Sequence, residues 1–204
     1  ASTVAQKPQP ILIEEKLTGM EFSCVCLTDY TTGTLFALTP TEIIPEATSG
    51  LFCYAQKYMP GRATKFTPAR CSSADLERIK KTCVAASQAL GMSNITRIDG
   101  FLTKEQHIII VDPNSLSGMG PSSFLFREAA ESGMNHTHVI NHLIETELHA
   151  YGMLQKIDTP KKESLMKTNM MRIAVILGGR SNEREISLES GRNIVYKLSP
   201  TKYT

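Results

Sequence analysis

The sequence predicts an α/β chain of the α+β kind: a mostly antiparallel sheet flanked by helices, then a linker and one strand-helix unit. Three observations carry that prediction. Apolar and polar residues alternate over short stretches in the first part of the chain. They then recur every three or four residues in several later segments, and the period breaks before "RIAVILGG" starts a new apolar run.

The first stretch, "ILIEEKLTGMEFSCVCLTD", reads as two strands joined at Thr18-Gly19. From Glu21 onward it places Phe22, Cys24 and Cys26 on one face, with Val25 and Leu27 on the other. A further strand pair is expected within "TLFALTPTEIIPEA", and residues 50–67, broken by Pro60 and Gly61, read as a loop. After Ser72 the period lengthens: Leu76, Ile79, Cys83, Ala86 and Leu90 mark an amphipathic helix, started by the Ser72/Asp75 capping pair and stopped by Gly91. "ITRIDGFL" and "HIIIVDPN" then form a hairpin around "TKEQ", followed by helices near residues 123–131 and 137–154. "QKIDTPKKESLMKTN" keeps no period and reads as a solvated tether, beyond which "RIAVIL" is a strand and a polar helix runs to about Leu198.

Composition narrows the function classes. A net charge of +2, from 22 basic and 20 acidic residues, gives no electrostatic footprint for nucleic acid or an anionic membrane. No apolar run approaches the roughly 20 residues that cross a bilayer. Five cysteines without a C-x-x-C pair suit a reducing, cytoplasmic compartment better than a disulfide framework. Cys24 and Cys26 read as small core residues. His138 and His142 stand four apart on one helix, a zinc-capable spacing, but without an HExxH glutamate they are expected at its exposed edge. "AVILGGRSNEREIS" lacks the G-x-G-x-x-G of a dinucleotide loop.

Chemistry concentrates in the hairpin. With the turn centred on Lys104-Glu105, Arg97 faces Asp112 and Asp99 faces Ile110, so Arg97, Asp99, Asp112 and Asn114 share one face of the sheet. A one-residue slip would scatter them. Two carboxylates and an amide are ligands that Mg²⁺ accepts, and an arginine beside them suits an anionic transition state. Alone, the group fits a structural Arg97–Asp112 ion pair better. The residues after Asn114 raise the metal reading: "SLSGMGPSSF" is a small-residue loop entering a helix whose free N–H groups would face an anion.

"ILIEEKLTGMEF", "FCYAQKY", "RIDGFL", "VDPNSLSGMGPSS" and "AAESGM", in that order, resemble the C-terminal half of a D-alanine–D-alanine ligase of the ATP-grasp superfamily. "RIAVILGGRSNEREISLESG" is similar to that family's N-terminus, the first βα unit of a Rossmann-like domain. The resemblance implies a window across a tandem fusion: residues 1–154 as part of one ligase's C-terminal domain, 155–170 as linker, and 171–204 as the start of a second ligase. It implies ATP-dependent joining of two D-alanines through an acyl phosphate, with Mg²⁺ or Mn²⁺, in peptidoglycan biosynthesis. The setting would be the cytoplasm, or the stroma of a plastid-bearing source, and a homodimer stays open.

By the same resemblance Glu14, Glu15 and Leu17 line the adenine hinge and Glu21 holds the ribose. Lys57 faces phosphate and Tyr58 orders the site. Arg97 and the Gly118 N–H stabilise the oxyanion, Asp99, Asp112 and Asn114 bind the metal, and Ser123 takes the second substrate's carboxylate. Glu183, in the trailing copy, receives the first D-alanine's ammonium. The sequence departs from the family pattern at Asp112, usually glutamate, at Ser117, usually proline, at Gly120, commonly threonine, and at Glu15, often lysine. The family's central ATP-covering domain has no counterpart, so the chain is expected to be an inactive fragment. Two alternatives stand beside ligation: a copy that has lost catalysis and serves as a structural or regulatory module, and another ATP-grasp carboxylate–amine ligase.

Overall fold

The computed structural model describes residues 13–45, 63–153 and 171–203. Lys57, Tyr58 and the expected linker lie outside these residues.

Strand β1 (Gly19–Thr28) is the spine of a six-stranded antiparallel sheet. One edge of β1 pairs along its length with β5 (Ile95–Thr103), whose other edge carries β6 (Ile108–Asn114). The opposite edge pairs first with β3 (Thr41–Pro45) and further on with β2 (Leu35–Ala37). The expected strand pair of residues 34–47 is therefore two strands that share β1 as partner, because Leu38, Thr39 and Pro40 interrupt the edge. Strand β4 (Ala63–Phe66) pairs with β3 and replaces the end of the expected loop. The Thr18-Gly19 break is also not a turn between strands. Residues 13–18 are irregular, and Gly19 opens β1 with φ +149° where a Cβ would lie 2.2 Å from the Leu102 carbonyl oxygen. Only glycine fits both the angle and the space.

Period-2 alternation along β1 sorts the core into two layers. Phe22, Cys24 and Cys26 pack with Ile98 and with Ile79 and Cys83 of helix α1 (Ser73–Ala89). Val25 and Leu27 pack on the other face against α2 (Phe124–Glu131) and α3 (His136–Ala150). Ser72 caps α1 as expected: its hydroxyl accepts the Asp75 N–H at 3.1 Å. Asn135 does the same for α3, which starts at His136, one residue before the expected start. His142 is not at an exposed edge; its Nε2 lies 2.9 Å from the Thr28 carbonyl oxygen, with Tyr30 and Phe36 against its ring. Among the described residues no helix is long and apolar enough to cross a membrane.

The last segment holds α4 (Arg184–Lys197). "RIAVIL" forms no strand, since Ile176 is 95% exposed and the segment's sheet contact is a single bridge from Met171 to Tyr203. A strand needs a neighbour to satisfy its backbone, and the described residues offer none beyond that bridge.

Candidate active site

The hairpin β5–β6 holds a bulge at Asp99/Gly100. Near the turn Gly100 pairs with Ile110, but beyond the bulge Asp99 pairs with Asp112 and Arg97 with Asn114. The expected register is thus displaced. Had the turn-end pairing continued unbroken, Asp112 would stand opposite Ile98 and point to the α1 face. The extra residue, Val111, half exposed, restores the parity. Arg97, Asp99, Asp112 and Asn114 consequently do share one face, the one carrying α2.

The Arg97 fork grips Asp99: Nε donates to the two carboxylate oxygens at 3.1 and 3.2 Å, and Nη2 to Oδ2 at 3.0 Å. Ser23, opposite Asp99 on β1, donates its hydroxyl at 2.7 Å. Asn114 Nδ2 donates to the Asp112 carbonyl at 3.0 Å. The fork therefore closes on Asp99 along its own strand, where the expected partner was Asp112 across the ladder. An all-oxygen set from Asp99, Asp112 and Asn114 fits a hard cation such as Mg²⁺ or Mn²⁺. Such a cation would have to compete with Arg97 for the Asp99 carboxylate.

Beside this face, residues 117–123 lead into α2. Ser123 occupies the N-cap position but does not cap, and among the described residues its buried hydroxyl has no hydrogen-bond partner. It lines a cavity of about 120 Å³ with Lys65, Arg97, Asp99 and Gly118. The Lys65 ammonium sits 4.4 Å from the Phe124 ring centroid, with Arg97 on the same ring at 6.0 Å. Burial, then Arg127 and Arg97, holds the Lys65 pKa below the usual lysine range. Glu14, Glu15, Leu17 and Glu21 line a separate open cleft of about 820 Å³, within the ~300–1,000 Å³ of small-molecule sites. Glu183 reaches a further cavity shared with Arg97, Asn114 and Gly118.

Residue patterns passed over Lys65, Ser23 and Glu128. Glu128 was legible in principle, because it lies four residues after Phe124 and three after Leu125, on the buried stripe of α2. It is fully buried, and its Oε2 accepts the Val25 N–H at 2.7 Å, the donor left over where β2 and β3 fail to meet along β1. Its Oε1 has no hydrogen-bond partner among the described residues. Burial pushes the Glu128 carboxyl well above its ordinary value of 4.5. The native state then keeps a proton that the unfolded chain gives up, so stability should fall as pH rises from about 4.5 through the raised value. Denaturant midpoints measured from about pH 5 to about pH 8 check this: the decline should be reduced in Glu128→Gln, which keeps an acceptor for Val25.

Solved ligases share this fold. The D-alanine–D-alanine ligase of Coxiella burnetii superposes with TM-score 0.54 at 22% identity, covering 68% of this chain and 35% of that one. The ATP complex of the Bacillus anthracis ligase gives 0.53 at 22%, covering 68% and 41%. The Enterococcus faecalis VanG D-Ala:D-Ser ligase gives 0.53 at 27%, covering 65% and 37%. The fold is that of the ATP-grasp ligases. Residues 1–145 match the family described as D-ala D-ala ligase C-terminus, and the chain belongs to it. Curated D-alanine–D-alanine ligases agree: that of Oleidesulfovibrio alaskensis is 34% identical over 145 residues, covering 71% of this chain and 45% of the relative. That of Leptospira interrogans is 32% identical over 148 residues, covering 71% and 41%. The chain thus spans less than half the length of these relatives.

Proposed function

We propose that this chain contributes the metal- and oxyanion-binding half of an enzyme that joins two D-alanines at the expense of ATP. The observation that carries the reading is the meeting of Arg97, Asp99, Asp112 and Asn114 on one face beside the unpartnered Ser123 hydroxyl. Membership of the family supports it.

The chemistry follows from what each group can offer. The first D-alanine's carboxylate would be phosphorylated to an acyl phosphate, and the second's amine would attack it. Bound magnesium, on Asp99, Asp112 and Asn114, would neutralise charge on the ATP phosphates. Arg97 and the Gly118 N–H would hold the developing oxyanion, where donors fixed in advance act most strongly. Ser123 and the first N–H groups of α2 would receive the second substrate's carboxylate. Glu14, Glu15 and Leu17 would frame adenine, Glu21 the ribose, and Lys57 and Tyr58 the phosphate side. Glu183 would meet the first substrate's ammonium.

The parent would be a tandem ligase in which residues 171–204 begin the second copy, acting in the cytoplasm or a plastid stroma to supply peptidoglycan synthesis. The test is phosphate release by the longer chain given ATP, Mg²⁺ and D-alanine. No release would overturn the reading.

Asp112 favours a second reading, a copy that has lost catalysis, because its carboxylate is one methylene shorter than the family's usual glutamate. Asp112→Glu separates the two in a Mg²⁺-dependent ATP-binding measurement on the complete copy. An intact site should change little, whereas a decayed one should gain about tenfold or more in affinity.

A further inference from the structure

One polar row crosses the middle of the sheet. Asp112 on β6 pairs with Asp99 on β5, Asp99 pairs with Ser23 on β1, and Ser23 pairs with Thr41 on β3. Directly opposed residues share a face, so all four side chains lie on the side that carries α2. Ser23 and Thr41 are fully buried, and Asp99 nearly so. The neighbouring positions of β1 and β3 on this face, Val25, Leu27 and Ile43, are apolar core. A buried serine in such a place needs a hydrogen-bond partner.

The Ser23 hydroxyl finds it in Asp99. It donates to Oδ1 at 2.7 Å, a length typical of a hydroxyl on a carboxylate. Thr41, on the far side of Ser23, directs its own hydroxyl to Thr67 at 2.8 Å. With no exposed surface at Ser23, water cannot stand in for the serine. A short side chain on a strand paired along both edges also loses little freedom by holding one geometry, whereas an arginine loses much.

The two groups that hold Asp99 differ in what they leave for a cation. The Arg97 fork covers both carboxylate oxygens. Ser23 engages Oδ1 alone, from the strand on the opposite side of β5 to the one that brings Asp112. Groups that hydrogen-bond a ligating carboxylate set its orientation, and with it the affinity of the site.

We propose that Ser23 is a positioning residue for the metal site: its hydroxyl keeps the Asp99 carboxylate in place beside Asp112 where the Arg97 fork lets go. Ser23 ligates neither cation nor substrate and acts through Asp99. The proposal rests on the ligase reading for a cation at Asp99; the buried row and the Ser23–Asp99 bond stand without it.

The test is a titration of the 204-residue chain with Mn²⁺, followed by the EPR signal of the free ion, with a urea midpoint measured for every variant. Ser23→Ala should bind Mn²⁺ about 10- to 100-fold more weakly, the usual cost of losing a group that orients a metal ligand. Ser23→Thr, which keeps the hydroxyl and suits a strand, should bind much as the parent chain does. Cys83→Ala, buried in the α1 layer, should lower the urea midpoint and leave Mn²⁺ affinity unchanged. In an Asp99→Asn background, Ser23→Ala should weaken Mn²⁺ no further, because the serine acts through the carboxylate. The proposal is overturned if Ser23→Ala binds Mn²⁺ like the parent, or if a Ser23→Thr chain as stable as the parent binds as weakly as Ser23→Ala. It is equally overturned if Cys83→Ala loses as much affinity, or if the effect of Ser23→Ala persists in the Asp99→Asn background. Each of these outcomes leaves the ligase reading standing, because that reading is judged by phosphate release by the longer chain. A parent chain that binds no Mn²⁺ overturns the proposal and takes the metal assignment of Asp99 with it.

Discussion

In the ligase proposed above, Arg97→Ala is expected to lower kcat by about 100- to 1,000-fold, the usual cost of losing one oxyanion donor. Val25, Arg97 and Asn114 are successive cross-strand partners, so the guanidinium is held by a paired strand on each side, and Phe124 covers it from α2. Its fork is already spent on Asp99, which is 6% exposed. Removing the arginine therefore has a second effect: it leaves Asp99 as a buried carboxylate beside the Ser23 hydroxyl without its arginine, and losing one member of a buried pair costs about 3–5 kcal/mol. Arg97→Lys separates the two effects. A lysine returns a positive charge to Asp99 but not the planar fork, so denaturant stability should recover more than kcat does. Equal recovery of both would mean that Arg97 acts through folding alone.

Gly100→Ala is expected to cost about 3 kcal/mol, the upper end of overpacking, because the obstacle is backbone. A Cβ at Gly100 would lie 2.5 Å from the Ile109 carbonyl oxygen and 2.9 Å from the Phe22 ring. A ring can yield slightly, but a carbonyl within the β5–β6 ladder cannot move without shifting the pairing. That pairing includes the bulge that brings Asp112 to the face of Asp99. A urea midpoint gives the stability and, for the metal site proposed above, Mg²⁺ affinity gives the register. Affinity should fall together with stability in Gly100→Ala, whereas a destabilising change in the α1 layer, such as Ile79→Val, should lower stability alone.

These two variants mark different depths of what could be read from residues. Arg97, Asp99, Asp112 and Asn114 were legible as a group because strands have a period of two, and a register error of even size preserves the face. The pairing itself was not legible. It depends on where one extra residue is inserted, and Val111 carries no signal for that beyond its place in an apolar run. Lys65 was invisible for a similar reason: β4 is four residues long and follows a mixed stretch, so it becomes a strand only through pairing with β3. The "RIAVIL" segment shows the converse, an apolar run with strand propensity whose ladder partners are absent from the described residues.

The sequence by itself determined the two-faced β1, the capped α1, the hairpin, and the family to which these belong. Each of those features depends on neighbours a few residues away, or on ordered motifs that survive as letters. Only the tertiary structure decided that the Arg97 fork closes on Asp99, that Glu128 is sealed under β1 to accept an otherwise unpaired N–H, and that α4 closes on the loop before α2 through Ser190 and Asn193. Those outcomes depend on contacts between side chains and strands whose approach local patterning does not encode, because bulges, interrupted edges and missing side chains set the distances.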